Sequence, residues 1–153
     1  MKESEKKIKK SPYMMNRELS WLKFNERVLN EAGNPKVPLA ERLTFVSIYQ
    51  SNLDEFYRVR VGTLMDQMDV SEVVRENKTN MTSEEQVKAI IRATRELEEK
   101  KTVIYEQLMG ELEPKGIRLI NFNKLSAEEG KILEEYFDRE IAPYLSANIV
   151  SKQ

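Results

Sequence analysis

Apolar residues recur at three- and four-residue intervals through most of this 153-residue chain, the spacing that gives a helix one buried face. Trp21, Phe24, Val28 and Leu29, flanked by Leu22, form the first stripe. Ser20 stands where an N-cap hydroxyl accepts first-turn amides, and Ala32-Gly33-Asn34-Pro35 stops the pattern. Pro38 suits a first helical position, and Leu39, Leu43, Val46 and Tyr49 follow on one face. Ser51 with Asp54, or Asn52 with Glu55, is spaced as a capping pair. The pattern therefore predicts a break near Ser51 and a third helix to about Met68, carrying Leu53, Phe56, Val61, Leu64 and Met68.

Residues 77–82 are polar and aperiodic and read as a loop. Thr82 with Glu85 forms a capping box that opens a long helix, whose stripe is Val87, Ile91, Thr94, Leu97, Ile104, Leu108 and Leu112, interrupted at Lys101. Glu113-Pro114-Lys115-Gly116 ends it. Residues 117–122 alternate weakly, as a short strand does, and Ser126 with Glu129 opens a last helix holding Ile132, Leu133, Tyr136, Phe137 and Ile141, with Pro143 behind it. The predicted class is mainly α: a bundle of about four helices with one long helix, then a short strand and a further helix. A lone strand has nothing to pair with, so residues 116–153 read as the start of a next, truncated domain. Residues 16–115 form the helical domain, and residues 1–15 a disordered tail whose first ten positions carry five lysines against two glutamates.

Composition narrows the chemistry. Nearly equal numbers of acid and base, 26 against 25, leave a formal charge of −1, so no global field steers the protein onto nucleic acid or anionic lipid. The lysine-rich start lacks the apolar run of a signal peptide, and no segment is long and apolar enough to span a bilayer. The expected address is the cytoplasm, with a peripheral seat at the membrane as the alternative. There is no cysteine and no histidine, which removes disulfides, thiol nucleophiles, Cys/His zinc sites, imidazole bases and phosphohistidine from this chain's own repertoire.

Few residues are left to carry function. The adjacent acid pairs Asp54-Glu55, Glu84-Glu85, Glu98-Glu99, Glu128-Glu129 and Glu134-Glu135 point about 100° apart on a helix and do not converge on one atom, so they read as solvated surface. No carboxylate loop of calcium-binding spacing and no glycine-rich phosphate cradle is present. Arg58 and Arg60 flank Val59 beside Tyr57 and suit either a phosphate or a surface ion pair from Asp54 to Arg58. Trp21 and Phe24 read as core anchors. Asn52 is the most informative position: its carboxamide matches the donor and acceptor of an adenine edge, and its oxygen also suits a helix cap.

Four stretches, Asn16-Arg17-Glu18-Leu19-Ser20-Trp21-Leu22, Phe24-Asn25-Glu26-Arg27-Val28-Leu29, Pro38-Leu39-Ala40-Glu41-Arg42-Leu43 and Ser51-Asn52-Leu53-Asp54-Glu55-Phe56-Tyr57-Arg58-Val59-Arg60, together resemble the N-terminal helical domain of bacterial polyphosphate kinases of the phosphohistidine-using type. The likeness extends over about residues 16–145. It implies an enzyme that transfers the terminal phosphate of ATP to polyphosphate with magnesium, its histidines and metal ligands lying in further domains that would be this chain's partners. It maps a nucleotide-contacting asparagine onto Asn52, assigns no catalytic residue or metal ligand here and no role to Arg58 or Arg60, and implies that the chain alone is inactive. A purely structural helical module for docking or dimerisation is the alternative, a homo-oligomer is compatible with both, and binding of nucleic acid is not expected.

Overall fold

The computed structural model describes residues 13–69, 73 and 75–148. The expected disordered tail lies, up to position 12, outside the described residues. Two compact units meet at the boundary between Gly116 and Ile117. The first contains helices α1 (Arg17–Ala32), α2 (Leu39–Phe56), α3 (Gly62–Met68) and α4 (Ser83–Leu112), with a five-residue π turn, Tyr57–Val61, joining α2 to α3. The second contains α5 (Ala127–Tyr136).

In the first unit α1 packs against α2 and α4, and α3 against α4. Leu22 and Leu29 of α1, Tyr49 and Phe56 of α2, and Ile90 and Leu108 of α4 are the large side chains fully withdrawn from water, the term that drives assembly. From α2 through the π turn to α3 the buried apolar positions are Val46, Tyr49, Leu53, Phe56, Val61 and Leu64. The five-residue step from Phe56 to Val61 coincides with the π turn, which absorbs one extra residue and returns the apolar stripe to the core. The helix therefore does not break at Ser51, as the capping-pair spacing suggested: α2 runs unbroken to Phe56, because Leu53 and Phe56 continue the stripe without a change of face.

The predicted start of α1 is also corrected. Asn16, one turn before Ser20, is the cap: its Oδ1 accepts from the amides of Glu18 (2.9 Å) and Leu19 (3.2 Å). Its Nδ2 donates to Gln86 Oε1 at 2.8 Å, tying the N-termini of α1 and α4 together. At the other end Arg42, 6% exposed, donates Nε to the Ala32 carbonyl (2.8 Å) and Nη1 to Glu111 (2.9 Å), satisfying an orphan carbonyl of α1 and joining three helices. The capping box at Thr82 and Glu85 is present. The α4 stripe is as read except that Ile90, not Ile91, is buried, Ile91 being half exposed. Lys101, where the stripe is interrupted, reaches Gln50 on α2 (2.8 Å) and Glu98. Past Leu112, a 3-10 turn, Glu113–Lys115, and Gly116 at φ +81° end the helix in the left-handed conformation that glycine adopts without cost.

In the second unit the capping box of Ser126 and Glu129 opens α5 as expected. The predicted strand does not form: 117–121 is irregular, Phe122–Lys124 is a 3-10 turn, and the described residues contain no sheet, only an isolated bridge from Arg75 to Thr82. An isolated strand leaves its amides and carbonyls unpaired, and no described segment offers itself as a mate. None of the described residues of this unit is buried.

Two stability predictions follow from the first unit. Thr94 Oγ1 on α4 is the one buried side-chain polar atom without a partner among the described residues, so Thr94→Val should leave stability unchanged or raise it by up to about 1 kcal/mol in urea titration. Glu26 accepts from Lys23 (2.9 Å) on its own helix and from Lys100 (3.0 Å) on α4, and these bonds hold its carboxyl below the ordinary value of 4.5 despite partial burial. A carboxyl depressed on folding adds stability that is complete above its unfolded value and is lost as pH falls through the folded one. Glu26→Gln should therefore flatten the acid limb of a stability–pH curve below about pH 4.5 while the wild type keeps it.

Candidate functional site

An open groove of about 910 Å³ lies in the first unit, within the roughly 300–1,000 Å³ typical of small-molecule sites. The first half of α1 forms one side and the end of α2 with the π turn and α3 forms another; the 75–78 turn and Gln86 near the start of α4 also line it. Each element is positioned locally. Asn16 sets the start of α1, and the π turn aims Arg60 back toward α1. The 75–78 turn is closed by Glu76, whose carboxylate accepts from the amides of Lys78 (2.9 Å) and Thr79 (2.7 Å) and from the Thr79 hydroxyl (2.6 Å). Burial pushes that carboxyl upward, but the bonds from Thr79 and Lys78 outweigh it and hold it below its usual range. Asn80, at φ +62°, completes the turn in a conformation that asparagine tolerates.

At the base of the groove sits Glu18, its side chain only 3% exposed. Arg17 grips it through Nε (2.9 Å) and Nη2 (2.8 Å), and Arg60 Nη1 lies 3.5 Å from its other oxygen. A buried carboxylate is costly unless paired; here two guanidiniums and the positive end of α1 compensate it. Arg60 remains 42% exposed and Arg17 77%, so both cations reach the groove with donors to spare. Arg75 and Lys78 add positive charge from the facing turn, Glu55 and Glu76 negative charge.

Trp21 stacks on the buried Phe56 ring, centroids 4.4 Å apart and planes 7° apart. The expectation of a core anchor holds for one side of it only: Trp21 is half-buried and lines the groove, as does Phe24, 46% exposed.

Asn52 also lines the groove. It lies inside α2, where no free first-turn amides exist, so the capping role is overturned. Its Nδ2 instead donates to Asn25 Oδ1 on α1 at 3.0 Å, and Asn25 Nδ2 donates to the Tyr49 carbonyl at 3.0 Å. Tyr49 itself is buried, and that burial, reinforced by Glu98 3.4 Å from its hydroxyl, pushes the phenol far above its usual range and keeps it protonated. The structure thus brings Asn52 and Arg60 to one groove and leaves Arg58 outside it; Asp54 accepts from Gln50 (2.9 Å), and no ion pair joins it to Arg58 among the described residues. Glu18 and Asn25 were not singled out by sequence. Their signal was a polar residue on an otherwise buried helix face.

The fold and site define an all-α domain with an open groove, lined by aromatic, amide and guanidinium side chains and carrying no acid cluster suited to a metal among the described residues. Residues 14–120 match the model of the polyphosphate kinase N-terminal domain, and the chain belongs to that family. It is 44% identical to a polyphosphate kinase of Bacillus cereus over 135 residues, 88% of this chain and 19% of the relative. Against the polyphosphate kinase of Synechocystis it is 40% identical over 140 residues (91% and 19%), and against that of Halalkalibacterium halodurans 40% over 147 (95% and 21%). The chain therefore spans about a fifth of the length of these relatives. No solved structure matches it significantly.

Trp21→Ala should cost about 1–3 kcal/mol in chemical denaturation, less than a fully buried tryptophan. A loss below about 0.5 kcal/mol would show that the stack on Phe56 contributes nothing to the core.

Proposed function

We propose that this chain is the wall of a polyphosphate kinase against which the adenine of ATP is held while the terminal phosphate passes to polyphosphate. One observation carries this reading: Asn52, its Nδ2 held by Asn25, lines a groove flanked by Trp21 and Phe24 and by the cations Arg17 and Arg60. The amide oxygen supplies an acceptor for a base edge, an aromatic side chain supplies a stacking face, and guanidiniums favour the negative charge of phosphates. The relatives' name and their length support the remainder: ATP and polyphosphate as substrates, and further domains of the same enzyme as partners. The phosphohistidine implied by the resemblance has no donor in this chain, which holds no histidine. The wall orients one substrate and shields one side of it, which is catalysis by positioning. The cytoplasm, where ATP is supplied, is the compartment this function requires; no described helix is long and apolar enough to cross a membrane.

A second feature supports the scaffold role beside this one. Leu119, Phe122 and Ile132 of the second unit are 74%, 75% and 64% exposed, and large exposed apolar side chains of this kind suit a docking face. Residues 116–153 are accordingly read as the beginning of a following domain.

In the native-length protein that carries this chain, Asn52→Leu should raise KM for ATP roughly 5- to 150-fold, the equivalent of about 1–3 kcal/mol, with kcat nearly unchanged because the base is held alike in ground and transition states. The 153-residue chain alone should form no polyphosphate in either version. An unchanged KM would remove the base-holding role and leave the domain as scaffold.

A further inference from the structure

Asn25 is fully buried on α1, and both ends of its amide are committed. Nδ2 donates to the Tyr49 main-chain carbonyl and Oδ1 accepts from Asn52 Nδ2, each at 3.0 Å. A carbonyl oxygen accepts and cannot donate, so Tyr49 dictates which half of the Asn25 amide faces it. Turned over, Asn25 would set oxygen against oxygen where no water reaches, at the cost of an unsatisfied buried group. The constraint is passed on. Because Asn25 offers Asn52 an acceptor, Asn52 must offer its NH2 in return. Its own Oδ1 is then turned away from Asn25, has no partner among the described residues, and is not fully buried, since it is absent from the buried unpartnered atoms.

A free carboxamide does not discriminate between a base carrying an amine and one carrying an oxo group at the same position, because a half-turn of the side chain exchanges its donor for its acceptor. A carboxamide that cannot turn does discriminate. We propose that Asn25 is the specificity-determining positioning residue of the groove: by locking Asn52 with its acceptor outward, it selects purines bearing a 6-amino group over those bearing a 6-oxo group. Asn25 itself touches no nucleotide. The proposal rests on the reading of the groove as the base site and goes beyond it, since a base could be held at Asn52 without any such selection.

The experiment compares ATP, purine riboside triphosphate, which carries only hydrogen at position 6, and inosine triphosphate as phosphate donors for the native-length protein. The expected order of KM is ATP lowest, purine riboside triphosphate intermediate and inosine triphosphate at least about tenfold above ATP, since one hydrogen bond is gained, absent or opposed. In Asn25→Leu the amide is released. Inosine triphosphate should improve and the ratio of the two KM values should fall to within about threefold; damage to packing alone would weaken both nucleotides together. A ratio that stays at its wild-type value in a cooperatively folded Asn25→Leu overturns the proposal. Should that variant lose its cooperative thermal transition, the order of the three nucleotides in the unaltered protein decides, and inosine triphosphate equal to or better than ATP overturns it. Asn52→Leu separates the two levels. If it leaves KM for ATP unchanged, the base-site reading and this proposal fall together; if it raises KM while Asn25→Leu keeps the wild-type ratio, only this proposal falls.

Discussion

A carboxamide buried without water must find both a donor and an acceptor partner in the protein, and Asn25 finds them on a single neighbouring helix: the Tyr49 carbonyl and the Asn52 amide. That requirement fixes the register of α1 on α2 more sharply than apolar packing does, because hydrophobic contact is non-directional while a hydrogen bond fails steeply with distance and angle. The other polar groups on α1 act in the same sense. Asn16 ties its start to Gln86, Glu18 holds Arg60, and at its end the Ala32 carbonyl takes a bond from Arg42. The first helix is thus held by polar bonds at both ends and in the middle, with Leu22 and Leu29 supplying the apolar contact between.

The groove is a consequence of that arrangement. The π turn adds one residue between the core positions Phe56 and Val61, and the residues it displaces include Arg60, whose guanidinium meets the buried carboxylate of Glu18. A regular helix through the same sequence would keep a 3.6-residue period and turn Val61 and Leu64 away from α4. The cation in the groove and the continuity of the core therefore depend on the same local irregularity.

Held this way, the groove presents side chains that are already ordered, and an ordered surface binds at little cost in side-chain entropy, which is how preorganisation contributes to affinity. It belongs to a family whose relatives are about five times its length. In the proposed function its part is orientation, and orientation is most effective when the orienting group cannot itself turn.

Much of this was determined by the sequence alone. The capping boxes at Thr82 and Ser126 and the stop at Gly116 are local interactions spanning three or four residues, and the helical class follows from periodicity. Asn52 was legible as a chemical group, and the resemblance marked it as a nucleotide contact. Tertiary structure decided what local spacing could not. The apparent caps at Ser20 and Asn52 gave way to Asn16 and to an unbroken α2, because Gln86, 70 residues from Asn16, and the continuous stripe through Phe56 outweigh a favourable three-residue spacing. The strand over 117–122 vanished for want of a partner. The orientation of Asn52 was out of reach of the sequence for the same reason: it is set by Asn25, 27 residues away, and by a main-chain carbonyl that no side-chain pattern records. Hydrogen bonds between distant segments come into being only when burial removes water as the competing partner, so their direction is a property of the folded protein.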